Sequence, residues 1–163
     1  MKHSSSSAAA KAVRVLIVLA ALMQIYDGLS SALIPFLGLA SLGTGMAVAM
    51  IGTGVLQAVV AVFALMQAVR NNLRGAILAA AGCLLLGWLT TVPAAIQHGL
   101  DFRADGGLTS GYFLVSPALA FTSAALAWRN SHLLLAALVV TAPTIVGLFA
   151  VMIFATGVAL YGF

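Results

Sequence analysis

The sequence predicts an all-α integral membrane protein, a bundle of about five transmembrane helices with the N-terminus inside and the C-terminus outside. Three observations carry that expectation. Composition is the first: 63% of residues are hydrophobic and 6% are charged, with a mean hydropathy of +1.17, whereas a soluble domain is about half apolar and roughly one-quarter charged. Run length is the second, because a spanning helix consumes about 20 residues and five of them with short connections nearly exhaust 163 residues. The third is charge placement. Under a five-helix count Lys2, Lys11, Arg14, Arg70, Arg74 and Arg129 all fall inside and only Arg103 falls outside, which is the bias that orients multi-pass proteins. A four-helix or six-helix count spoils that split.

Residues 1–12, opening MKHSSSSAAA, are small, polar and low in complexity and read as a mobile cytoplasmic tail. Residues 13–163 then form one transmembrane domain. Its first helix is expected over about 13–34, since stopping at Tyr26 leaves a run too short to cross the hydrocarbon. Asp27 therefore lies within the span. Ser30 and Ala32 are placed like the small residues of a leader-peptide cleavage site, and Asp27 argues against that use of the segment. Pro35 and the run GLASLGTG supply the breakers that end the helix.

The second helix is expected over about 46–69, ending at Arg70, Asn71, Asn72 and Arg74, a loop that the positive-inside bias makes cytoplasmic. A third, about 75–96, carries Trp88 and Pro93 in its outer half. The segment GLDFRADGGLTSG holds two of the three acidic residues and one arginine and fits an exterior loop. The fourth helix, about 112–128, has aromatic residues at both ends, as an interfacial belt predicts. After a short inner turn at Arg129 to His132 the fifth fills about 133–161. Within it Pro143 removes a backbone donor and frees the carbonyl of Val139, which Thr141 and Thr144 are placed to help satisfy.

Small residues recur at spacings that let helix backbones approach closely. Gly45, Ala49 and Thr53 form one such row on the second helix, Gly54 and Ala58 another, and Ala120 and Ala124 a third on the fourth helix. The rows predict that the second helix is the central, most closely packed one.

Chemistry within a span has few candidates. Asp27 is the sole ionisable residue inside a hydrophobic run, about 10 Å from the outer boundary at 1.5 Å per residue, and its charged form costs about 2.5 to 3.5 kcal/mol at the centre of a helix on the insertion scale. Tyr26, Ser30 and Thr53 are within reach as hydrogen-bond partners. Gln24 on the first helix and Gln57 on the second fall at comparable depth, so an interhelical hydrogen bond between the two amides is expected. Asp27, Gln24, Gln57 and Thr53 together form the candidate intramembrane polar site.

Other chemistries are disfavoured. His98 and His132 lie at opposite faces of the bilayer, so one chain does not supply two haem ligands. Asp101, Arg103 and Asp105 echo a calcium loop, but Arg103 stands where an oxygen ligand belongs and Tyr112 where the bidentate glutamate belongs. Cys83 is a single cysteine in an apolar run and reads as a small core residue. With no glutamate, no phosphate loop and no nucleophile paired with a histidine, no catalytic residue, metal site or cofactor is predicted. The net charge of +4 comes from helix ends, not from a nucleic-acid stripe.

After its basic start, the run Tyr26-Asp27-Gly28-Leu29 resembles the opening of the small bacterial DoxX-type membrane proteins over the first helix alone; the helix count differs, and the resemblance implies nothing further. The functional expectation is a non-catalytic small multi-pass protein of the inner (plasma) membrane of a bacterial cell. It partners the lipid bilayer and either other membrane-protein subunits or further copies of itself, and serves as an accessory or assembly subunit of a larger complex. The alternative is a small oligomeric transporter or channel that uses Asp27 and the Gln24/Gln57 pair.

Overall fold

The computed structural model describes residues 3–37, 43–100 and 107–162. Among them all regular structure is α-helical, in five helices: α1 His3–Leu33, α2 Thr44–Val69, α3 Leu73–His98, α4 Gly107–Trp128 and α5 Leu133–Tyr161. Each contains a segment of 19 to 29 residues long and apolar enough to cross a membrane. Four helices start earlier than the sequence suggests, α2 and α3 by one half-turn and α1 and α4 by more than a turn. The Ser/Ala stretch after His3, expected as a mobile tail, continues α1, since nothing between His3 and Gly28 breaks a helix and serine and alanine are adequate to good helix formers. α4 begins five residues before Tyr112, because Leu108 to Ser110 extend the same spiral, so it reaches 22 residues instead of a marginal span.

Successive helices run up and down, and α5 closes the ring against α1. The centre is α3, which packs on α1, α2, α4 and α5, while α2 touches only α1 and α3. This corrects the expectation of a central α2. The reason lies in the side chains around α3: Ala76, Ala79, Ala80, Ala81 and Cys83 are all buried and point to several sides, so neighbours come close around much of its circumference. On α2 the small residues lie partly on the free side, where Gly45 has open space and Ala49 is exposed.

Gly54 and Ala58 do form a close contact, and its counterpart is Gly28 and Ala32 on α1. A Cβ built on Gly28 would sit 2.7 Å from the Gly54 carbonyl and 2.8 Å from the Ala58 nitrogen; one built on Gly54 would sit 2.9 Å from the Ala32 nitrogen. The two helices thus cross backbone to backbone, each using a small residue and another four positions on. Ala32, which resembles part of a cleavage site in the sequence, is buried in this crossing.

Both turns at one end of the bundle close in the same way. Asn71 and Asn130 adopt left-handed φ values of 66° and 51°, a region asparagine tolerates. Asn72 N–H then donates to Gln67 O at 2.9 Å and Ser131 N–H to Leu126 O at 3.1 Å, the Schellman arrangement that satisfies the last carbonyls of a helix. Asn72 also caps α3, its side-chain oxygen accepting from Gly75 N–H. Arg14 of α1 donates to the Asn71 side chain, and the Arg74 guanidinium lies 5.1 Å from the centre of the Trp128 ring. These contacts gather Arg14, Arg74 and the two turns at one end. The main core, built on Val13, Ile17, Ile77, Leu84 and Val140 with many alanines, fills the same half.

Candidate functional site

The polar residues collect toward the other half of the bundle, beside the Gly28–Gly54 crossing. Gln57 is 3% exposed, and its Nε2 donates to Gln24 Oε1 at 2.6 Å, so the two amides meet across α1 and α2. A side-chain amide among hydrocarbon is costly without a partner, and each supplies the other. Cys83 of α3 directs its thiol toward the backbone oxygen of Gln57 at 3.7 Å. Beside this pair, a Cβ built on Gly87 would lie 3.5 Å from the Tyr112 hydroxyl and 3.6 Å from Gln57 Nε2. The bare backbone of Gly87 therefore leaves room for α2, α3 and α4 to bring two polar groups together.

Asp27 is one turn from Gln24 on α1, and both border a cleft of about 330 Å³ between α1, α4 and α5. Tyr112 and Thr144 complete its polar lining, and Met23, Pro143, Gly147 and Leu148 supply the rest. Asp27 is exposed, and Tyr112 lines the same cleft. No hydrogen bond or ion pair engages it among the described residues. The partners expected from the sequence do other things. Tyr26 turns outward, 67% exposed, and Thr53 donates to the Ala49 and Met50 carbonyls of its own helix at 2.8 and 3.2 Å, the local bonding a hydroxyl adopts on an apolar helix. Thr53 thus stands apart from the other three members of the candidate site. Arg103 lies outside the described residues, as do Asp101 and Asp105.

Tyr112 and Thr144 are the site residues that sequence reasoning missed. A tyrosine at a helix end reads as an interfacial anchor; here α4 continues past it, which places the ring inside the bundle. Thr144 follows Pro143, which borders this cleft and a second cavity of about 290 Å³ between α4 and α5. Thr141, expected to help the carbonyl freed by Pro143, donates instead to Ala137 O at 2.7 Å. At Pro117, inside α4, the freed carbonyl is that of Phe113, and the Trp88 indole N–H donates to it at 2.9 Å. The Trp88 and Phe113 rings pack beside that bond with centroids 5.5 Å apart.

The arrangement offers one carboxylate, one shared amide oxygen, two hydroxyls and an aromatic ring. Among the described residues no three of His, Cys, Asp and Glu come together as a metal centre. The chain matches no protein-family model, no curated protein and no solved structure.

Proposed function

We propose that the chain is a non-catalytic multi-pass membrane protein that handles a small polar solute at the Asp27 cleft, as a small oligomeric transporter or channel. The supporting observation is that Asp27, a residue whose charge is expensive in a span, opens onto a cleft with Gln24, Tyr112 and Thr144 and has no hydrogen bond from the described chain to settle it. A purely structural carboxyl would be expected to have found a donor, as Gln24 and Gln57 have. In this reading the bundle sits in the plasma membrane of a bacterial cell. The end carrying Arg14, Arg74, Asn71 and Asn130 faces the cytoplasm, so the N-terminus is inside and the C-terminus outside. Proteoliposome swelling in iso-osmotic solutions of small polar solutes, neutral and charged, tests the reading: wild-type vesicles admit solute faster than Asp27→Asn vesicles at equal incorporation. Equal rates overturn transport through Asp27.

The second reading is an accessory or assembly subunit, and the outer half of α5 favours it. Val146, Phe149, Met152, Ile153, Phe154 and Leu160 are all exposed on a helix that leaves the bundle's main core behind. Extraction in mild detergent separates the two readings. Foreign chains co-purifying in fixed ratio support the subunit, and a pure homo-oligomer supports the transporter.

A further inference from the structure

We propose that the Asp27 cleft takes a small organic cation of single positive charge, a substituted ammonium. The inference rests on the reading of this cleft as a solute site and names the class of solute. Charge is the first argument. Among the described residues Asp27 is the one charged residue lining the cleft, and Arg14, a cation on the same helix, stands about 20 Å away along the axis. An anion would add to a charge already costly in an apolar surrounding, whereas one positive charge neutralises it.

The lining decides between kinds of cation. A hard metal ion such as calcium takes six to eight oxygen ligands, but the cleft offers a carboxylate, two hydroxyls and a Gln24 oxygen that already accepts from Gln57. Met23, Pro143 and Leu148 give the remaining wall a hydrocarbon and thioether character. That surface suits the alkyl or aryl body of an ammonium compound, and the ring of Tyr112 suits its positive face, since a desolvated cation is attracted to an aromatic quadrupole. Size agrees. A volume of about 330 Å³ lies in the range of small-molecule sites and far exceeds what a proton or bare ion needs. Gly147 keeps the space open, a Cβ there meeting nothing within 4 Å.

Benzyltrimethylammonium and its uncharged carbon isostere, neopentylbenzene, are the probes. Binding to the full chain in lipid nanodiscs is measured by equilibrium dialysis, with empty nanodiscs subtracting partition into lipid. The expected result is saturable binding of benzyltrimethylammonium, at least tenfold tighter than that of neopentylbenzene, weakened at least tenfold in Asp27→Asn and abolished in Gly147→Leu. Failure of benzyltrimethylammonium to bind the wild type, or equal affinity of the two probes, overturns the proposal. If Asp27→Asn does not assemble, the comparison of the two probes on the wild type and the Gly147→Leu result decide. Neopentylbenzene bound as tightly as the cation and blocked by Gly147→Leu removes the cationic class while leaving a solute cleft. Neither probe binding removes the cleft as a site for solutes of this size as well.

Discussion

At the scale of single residues, the Gln24 and Gln57 amides show how far a sequence can be read. Two amides in apolar runs, at equal depth on consecutive helices, have few ways to be satisfied, and the 2.6 Å bond between them is the simplest. Gln24→Leu and Gln57→Leu are each expected to destabilise the solubilised protein by about 0.5 to 2 kcal/mol, with the double variant losing less than the sum. Strict additivity in an unfolding titration would show that the bond contributes nothing. Asp27 is legible in the sequence as the residue whose cost needs a reason. Its surroundings are not, because Tyr112 and Thr144 border the same cleft from helices distant in sequence, and no local pattern records which way α4 and α5 turn.

At the scale of helices, the sequence reveals small residues but not which rows find a partner. Gly54 and Ala58 are paired with Gly28 and Ala32, while Gly45 faces open space; both rows look alike in an alanine-rich chain. Gly54→Leu forces backbones apart, and overpacking of that kind costs about 1 to 3 kcal/mol or more. Gly45→Leu is expected to leave the midpoint of thermal unfolding nearly unchanged. A loss at Gly45 as large as that at Gly54 would mean that α2 uses its outer row too. The α3–α4 contact gives a second case. Trp88→Phe strands the carbonyl that Pro117 has freed, a loss of about 1 to 3 kcal/mol. In a Pro117→Ala background the new alanine can supply the missing backbone donor, so the same Trp88→Phe change should cost less there. An identical cost in both backgrounds would detach the indole bond from the proline.

For the whole molecule, helix number follows directly from hydropathy and run length, since five apolar segments of sufficient length exist and all five are helices. Arrangement does not follow, because centrality depends on how small residues are distributed around a helix and not on how many it carries. The polarity of the bundle joins both kinds of information. Arg14 bonded to Asn71 and Arg74 stacked on Trp128 bring the basic residues to one end, and the charge rule then selects the side. Single cysteines at Asn71 and Asn130, in a Cys83→Ser background, should both react with an impermeant maleimide only after the cytoplasmic face is opened, and one at Gly106 should react in intact cells. Labelling of Asn71 and Asn130 from opposite faces would dismantle the five-helix topology.

The bond from Trp88 to the Phe113 carbonyl also has an optical meaning. The chain contains two tryptophans, and they mark different territories: Trp128 sits under Arg74 at the end that carries Arg14 and Asn71, while Trp88 ties α3 to α4 one residue from Tyr112 and so beside the Asp27 cleft. A rearrangement that draws the start of α4 away from α3 breaks the indole hydrogen bond and alters the polarity around that ring, whereas Trp128, the last residue of α4, reports its own contact with Arg74 at the opposite end of the helix. With Trp128 changed to phenylalanine, the emission wavelength of Trp88 becomes a built-in gauge of the cleft wall, readable during titration without any added label.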